Sequence, residues 1–125
     1  MSAATCRLRS PPTPGCLSDL RKWGRSWTDA HAVGCDVDDV VVAMTELVTN
    51  SIRYAPGPVT IELATGPTGL TLAVSDTSDV LPEPREADVE GGRGIAVLAA
   101  LADRWGVRRR EGGGKTVWCE FCAVA

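Results

Sequence analysis

The 125-residue chain predicts an α+β protein, a two-layer α/β sandwich with helices on one face of a mixed, mainly antiparallel sheet. Three observations carry that prediction. Two long stretches in the first half repeat apolar residues every three to four positions, and two pairs of short, alternating, β-branched segments each flank a glycine-bearing turn. A glycine-led helical stretch lies between the two pairs. The order helix, helix, hairpin, helix, hairpin in a chain of this length leaves room for one core.

Residues 1–14 read as a flexible N-terminal segment, because Ser10-Pro11-Pro12-Thr13-Pro14 continues neither a helix nor a central strand; an edge strand fits around Thr5 to Arg9. Residues 15–125 read as the single domain. From Cys16 to about Ala32, Leu17, Leu20, Trp23 or Gly24, Trp27 and His31 recur at helical spacing, and Gly34 stops that helix. Asp36 then offers an N-cap to a second helix, whose stripe of Val37, Val40, Val41, Met44, Leu47, Val48 and Ile52 runs to about Tyr54 before Pro56-Gly57-Pro58 ends it. Val59 to Ala64 and Leu70 to Ser75 form a hairpin around Gly66-Pro67-Thr68-Gly69. Between Asp76 and Glu90 six acids, one base and two prolines describe an exposed loop, longer than most connections and of the kind that serves as a lid. Gly91-Gly92-Arg93-Gly94 opens the third helix, with Ile95, Leu98, Ala99 and Ala102 on one face and Trp105-Gly106 at its end. Val107 to Arg110 and Thr116 to Phe121 form the second hairpin, around Glu111-Gly112-Gly113-Gly114.

Composition narrows the function classes. Lys and Arg number 13 against 16 Asp and Glu, a net charge of −3, which argues against direct nucleic-acid binding. No stretch reaches the ~20 apolar residues of a membrane helix, and Arg7 and Arg9 are followed by no apolar segment, so neither a membrane span nor export is expected. The five cysteines read as free thiols of a cytoplasmic protein. Cys119 and Cys122 have half of a metal-site spacing, yet on a strand positions three apart face opposite ways, and His31 is the one histidine. Of the four tryptophans, Trp23, Trp27, Trp105 and Trp118, at least two belong to the core by their periodic positions. Arg104, Arg108, Arg109, Arg110 and Lys115 make a basic cluster near the last hairpin, a solvated strand face or a surface for an acidic partner or phosphates.

Glu46 and Asn50 lie four apart and share one helix face at the margin of the apolar stripe. A carboxylate can take a proton from a nucleophile or orient a water, and an amide oxygen is a hard ligand suited to Mg²⁺. By themselves they equally describe a solvated outer face. Asp76 closes a strand, where its carboxylate could accept a hydrogen bond from an exocyclic amine or simply make a turn. Gly91-Gly92-x-Gly94 at a helix N-terminus lets backbone N–H groups approach an anion, and no P-loop motif is present.

The succession is more specific than its members. Glu46-Leu47-Val48-Thr49-Asn50-Ser51-Ile52-Arg53-Tyr54-Ala55 resembles the N box of the GHKL ATPase/kinase superfamily, Asp76 and the residues after it resemble the first glycine box, and Gly92-Arg93-Gly94-Ile95 resembles the second. With the closing Gly113-Gly114-Lys115-Thr116-Val117-Trp118, the chain is most similar within that superfamily to the small actinobacterial anti-sigma-factor serine kinases and related ATP-binding regulators. The resemblance spans roughly residues 15 to 122. It implies the Bergerat fold with ATP and Mg²⁺ as cofactors: Glu46 as general base, Asn50 as Mg²⁺ ligand, Asp76 as adenine reader, Gly92 and Gly94 as phosphate-contacting backbone, Arg53, Arg93 and Ile95 as further nucleotide contacts, and Thr116 as a secondary contact near the adenine. It also implies a sigma factor and an anti-sigma-factor antagonist as partners, and a homodimer through the sheet.

Two departures qualify these expectations. Tyr54 stands where the family usually has His, and Asp76-Thr77-Ser78 replaces Asp-x-Gly, which removes a glycine's close backbone approach and lowers the nucleotide affinity expected. A protein serine/threonine kinase acting on the antagonist and a non-catalytic, ATP-binding or nucleotide-free regulator are therefore the two functions to weigh, with a plain interaction domain as a third.

Overall fold

A computed structural model describes residues 2–8, 15–32, 34–54, 57–67, 69–78 and 93–122. Strand β1 (Ser2–Leu8), helices α1 (Cys16–His31) and α2 (Val37–Tyr54), strands β2 (Val59–Gly66) and β3 (Gly69–Asp76), helix α3 (Arg93–Leu101) and strands β4 (Arg104–Arg109) and β5 (Lys115–Cys122) follow in chain order. The strands form one five-stranded sheet in the order β1-β2-β3-β5-β4. All four pairings are antiparallel, in keeping with the mainly antiparallel sheet expected, and the described strands include no parallel pair. The cause is topological: β5 returns by a hairpin from β4 and enters between β4 and β3, so it runs against both. The edge strand expected near Thr5 forms over Ser2–Leu8.

Alternation builds the core. Val59, Ile61 and Leu63 of β2, Leu70, Leu72 and Val74 of β3, and Val117, Cys119 and Phe121 of β5 are buried on one face, against Val40, Ala43, Met44, Leu47 and Val48 of α2, Leu20 of α1 and Leu98 of α3. Register places Leu70 opposite Phe121, Leu72 opposite Cys119, and Val74 opposite Val117. Burial of Cys119, with a smaller push from the Glu120 carboxylate, raises its thiol to about 12. On α2 the cap forms as expected, with the Asp39 N–H donating to Asp36 Oδ1 at 3.2 Å.

Two expectations need correction. Trp105 and Gly106 do not end α3 but belong to β4: the helix closes with the Ala102 N–H on Leu98 O, and the Asp103 N–H already donates to Glu120 O at 2.9 Å, which begins the ladder. Gly106 pairs with Trp118, and a Cβ there would stand 2.6 Å from the indole, so glycine lets the ring lie on the neighbouring strand. In α1 the buried residues are Leu20, Gly24 and Thr28, while His31 is exposed and its ring nitrogen contacts Trp27 O. Gly24 sits there because α2 brings the end of the Met44 side chain against it. Of the tryptophans, Trp23, Trp27 and Trp105 pack half-buried against the core and Trp118 is half-buried on the other face. The acidic stretch from Asp79 to Glu90 lies outside the described residues.

Two outcomes follow from this packing. Gly106→Ala should lower stability by about 1–3 kcal/mol, seen as a lower urea midpoint with altered near-ultraviolet dichroism, because a methyl group must displace the indole; an unchanged midpoint would contradict this account of Trp118. The unfolded chain ionises its Cys119 thiol near the ordinary 9.0 while the folded chain holds it to about 12, so stability is complete below 9.0 and declines as pH rises toward 12. Cys119→Ala should remove that part of the alkaline decline.

Candidate functional site

The apolar ladder between β3 and β5 ends in charge. The next inward pair after Val74 and Val117 is Asp76 and Lys115. Asp76 is 1% exposed, and its carboxylate meets Lys115 Nζ at 3.0 Å from each oxygen. The Ser51 hydroxyl on α2 donates to Oδ2 at 2.6 Å, and the Ser78 N–H donates to Oδ1 at 2.9 Å. The last of these is an Asx-turn that bends the chain as β3 ends.

Two residues of this cluster were not expected at Asp76 from the sequence, Ser51 and Lys115. Both sit at positions where an apolar residue is due. Ser51 follows Leu47 by four along the α2 stripe, and Lys115 shares the parity of Val117, Cys119 and Phe121 on β5. A polar group on a buried face requires a partner, and that requirement was the available signal. Lys115 consequently leaves the basic cluster to which it was assigned, whose remaining members Arg104, Arg108, Arg109 and Arg110 are exposed. Arg104 pairs with Glu120 at 3.5 Å, a rim contact of small energetic weight.

Thr116, expected as a secondary contact near the adenine, lies beside Ser75. Alternation turns it to the opposite face from Lys115, where its hydroxyl lies 2.8 Å from that of Ser75. The structure does not bring it to Asp76. The backbone, by contrast, approaches closely from an unexpected direction: Gly112, Gly113 and Gly114 all have positive φ (87°, 110° and 89°), and a Cβ on Gly114 would run into the Asp76 carbonyl. Tight approach at the end of β3 is thus provided by Gly114, with Ser78 buried where the family pattern has glycine. Thr77 accepts the Gly57 N–H at 3.1 Å, which fastens the segment after α2 to the same strand end.

Glu46 and Asn50 are half-buried on α2 and Arg53 is exposed on its last turn. Asn50 immediately precedes Ser51, so the bond from Ser51 to Asp76 holds the amide-bearing turn of α2 against the end of β3. Arg93, Gly94 and Ile95 form the opening turn of α3; Gly92 lies outside the described residues. The oxygen donors Glu46 and Asn50 suit a hard cation such as Mg²⁺. The Asp76 carboxylate is of the right chemistry for an exocyclic amine, although its acceptor positions are occupied by Ser51, Ser78 and Lys115. No group of three or more His, Cys, Asp or Glu residues suited to holding a metal occurs among the described residues. Nor is any helix among them long and apolar enough to cross a membrane.

Removing one member of a buried ion pair strands the other. Asp76→Asn should lower stability by about 3–5 kcal/mol in urea titration, and Asp76→Asn with Lys115→Met should recover most of it; a single-variant loss below about 1 kcal/mol would mean that the pair is solvated.

An uncharacterized protein of Streptomyces coelicolor is 39% identical to this chain over 84 residues, covering 62% of this chain and 79% of the relative. Residues 10–121 match the histidine kinase-like ATPase domain, a span that runs from before α1 to all but the last residue of β5 and includes every residue of the Asp76 cluster. The antiparallel sheet with helices on one face, the α2 residues Glu46 and Asn50, and that match together establish that the chain belongs to the histidine kinase-like ATPase domain family, of GHKL type, whose members bind ATP.

Proposed function

We propose that this ATP-binding regulatory domain is an anti-sigma-factor serine/threonine protein kinase, which transfers the γ-phosphoryl group of ATP to a hydroxyl of an anti-sigma-factor antagonist and also binds a sigma factor in the cytoplasm. The observation that carries the reading is the bond from Ser51 to Asp76, because it ties the helix face holding Glu46 and Asn50 to the strand end holding the buried carboxylate. Glu46 draws the proton from the attacking hydroxyl, and Asn50 offers its amide oxygen to Mg²⁺. Bound Mg²⁺ supplies charge neutralisation on the phosphates. The backbone from Gly92 to Gly94 meets the phosphates at the start of α3, with Arg53, Arg93 and Ile95 as further contacts. Asp76 reads the adenine amine. The reading includes a homodimer through the face of the sheet opposite the helices, where Thr71, Ala73 and Trp118 lie.

Two observations favour a second reading. The Asp76 carboxylate is already held by Lys115, Ser51 and Ser78, and Ser78 replaces a glycine; both features suit a regulator that acts by partner binding without phosphoryl transfer.

Calorimetric titration of ATP with and without Mg²⁺ separates the two. For the kinase, binding requires Mg²⁺, Asn50→Ala loses that requirement, and Glu46→Ala keeps ATP bound while phosphorylation of the antagonist falls by a factor of about 10²–10⁴. Undiminished transfer by Glu46→Ala would remove it as the base, and an absence of ATP binding would put the non-catalytic reading first.

A further inference from the structure

We infer that Lys115 is an internal plug of the base-reading carboxylate, so that a nucleobase with an exocyclic amine reaches Asp76 only by displacing the protein's own ammonium group. The inference rests on the ATP-binding reading above and goes beyond it, by naming the residue that sets affinity and base preference.

Counting acceptors leads to it. An ionised carboxylate offers about four lone-pair sites. Oδ1 takes the Ser78 N–H at 2.9 Å and Lys115 Nζ at 3.0 Å; Oδ2 takes the Ser51 hydroxyl at 2.6 Å and the same ammonium at 3.0 Å. No site is left for an incoming amine. The three donors differ in how readily they can leave. Ser78 donates from backbone within the Asx-turn, and Ser51 is 7% exposed on a helix that packs on the sheet. Lys115 carries a flexible four-carbon stem and supplies two of the four bonds. Its side chain is 10% exposed against 1% for Asp76, so the ammonium is the more solvent-accessible partner.

Displacement has a chemical signature. Withdrawing Lys115 frees one acceptor on each oxygen, and the adenine amine can use one of them. Hypoxanthine has a carbonyl in place of that amine, and this carbonyl can accept a hydrogen bond from the third N–H of the ammonium without displacing Lys115 from Asp76. The native lysine therefore penalises adenine relative to hypoxanthine, and its removal lifts that penalty.

The test compares wild-type protein and Lys115→Met, each titrated with ATP and with inosine triphosphate. ATP affinity should rise about tenfold in the variant while inosine triphosphate affinity does not, which widens the ratio about tenfold. A ratio equal to that of the wild type overturns the inference and leaves ATP binding intact. If neither nucleotide binds either protein, the ATP-binding reading falls and takes this inference with it. A second measurement needs no variant, because Lys22 and Lys115 are the two lysines of the chain. On reductive methylation with isotopically labelled formaldehyde, Lys115 should react more slowly than exposed Lys22 in nucleotide-free protein, and saturating ATP should raise the Lys115-to-Lys22 ratio several-fold. A ratio that does not rise with ATP overturns the inference even if Lys115→Met fails to fold.

Discussion

A buried ion pair closes the ladder between the two central strands, and the site is organised around it. Asp76 and Lys115 stand opposite one another as the fourth inward pair after three apolar ones, and Ser51 joins α2 to the same carboxylate. Two buried charges are tolerated because each is paired and the remaining acceptors are filled. Replacing the pair with apolar residues would continue the core pattern without a break. Its presence instead fixes one arrangement of α2, the end of β3 and the start of β5.

That arrangement also explains how a short chain presents several chemistries at one place. Helix α2 faces the sheet with Val40, Met44, Leu47 and Val48 and reaches Asp76 with Ser51, while Glu46 and Asn50 lie at the edge of that stripe. A single 18-residue helix thus contributes core, anchor and polar face in successive positions. The backbone is drawn in by the same logic, with Gly114 meeting Asp76 and Gly57 meeting Thr77.

Most of the architecture was legible from periodicity. The stripe of α2, its Asp36 cap, both hairpins and the one-sided core follow from spacing and turn residues. What escaped was of two kinds. Trp105 and Gly106 looked like the end of a helix because glycine marks helix stops and strand close-packing alike; the choice was made by Trp118, on another strand. Thr28 was overlooked because a hydroxyl residue filled an apolar position, and His31 was included because it matched the spacing. In the site, Glu46, Asn50 and Asp76 were picked out by residue type and order, yet Lys115 was grouped with surface arginines and its contact with Asp76 was not anticipated, while Thr116, expected near the adenine, lies beside Ser75. Strand parity distinguishes those neighbours, and motif matching does not use parity.

Lys115 and Thr116 differ by one position and by one face of the sheet. The turn from Glu111 to Gly114 is where length could change, since loops accept insertions and deletions more readily than strands. A single residue gained or lost there, with β5 sliding by one position toward the turn, would carry a hydroxyl to Asp76 and an ammonium to Thr77. The same slide would turn Val117, Cys119 and Phe121 out of the core, so it would be selected against long before its effect on the carboxylate could be tried. Lineages of this fold can therefore explore the residue facing Asp76 by point substitution but not by indel, and the hydrophobic ladder acts as the guardian of the site's charge.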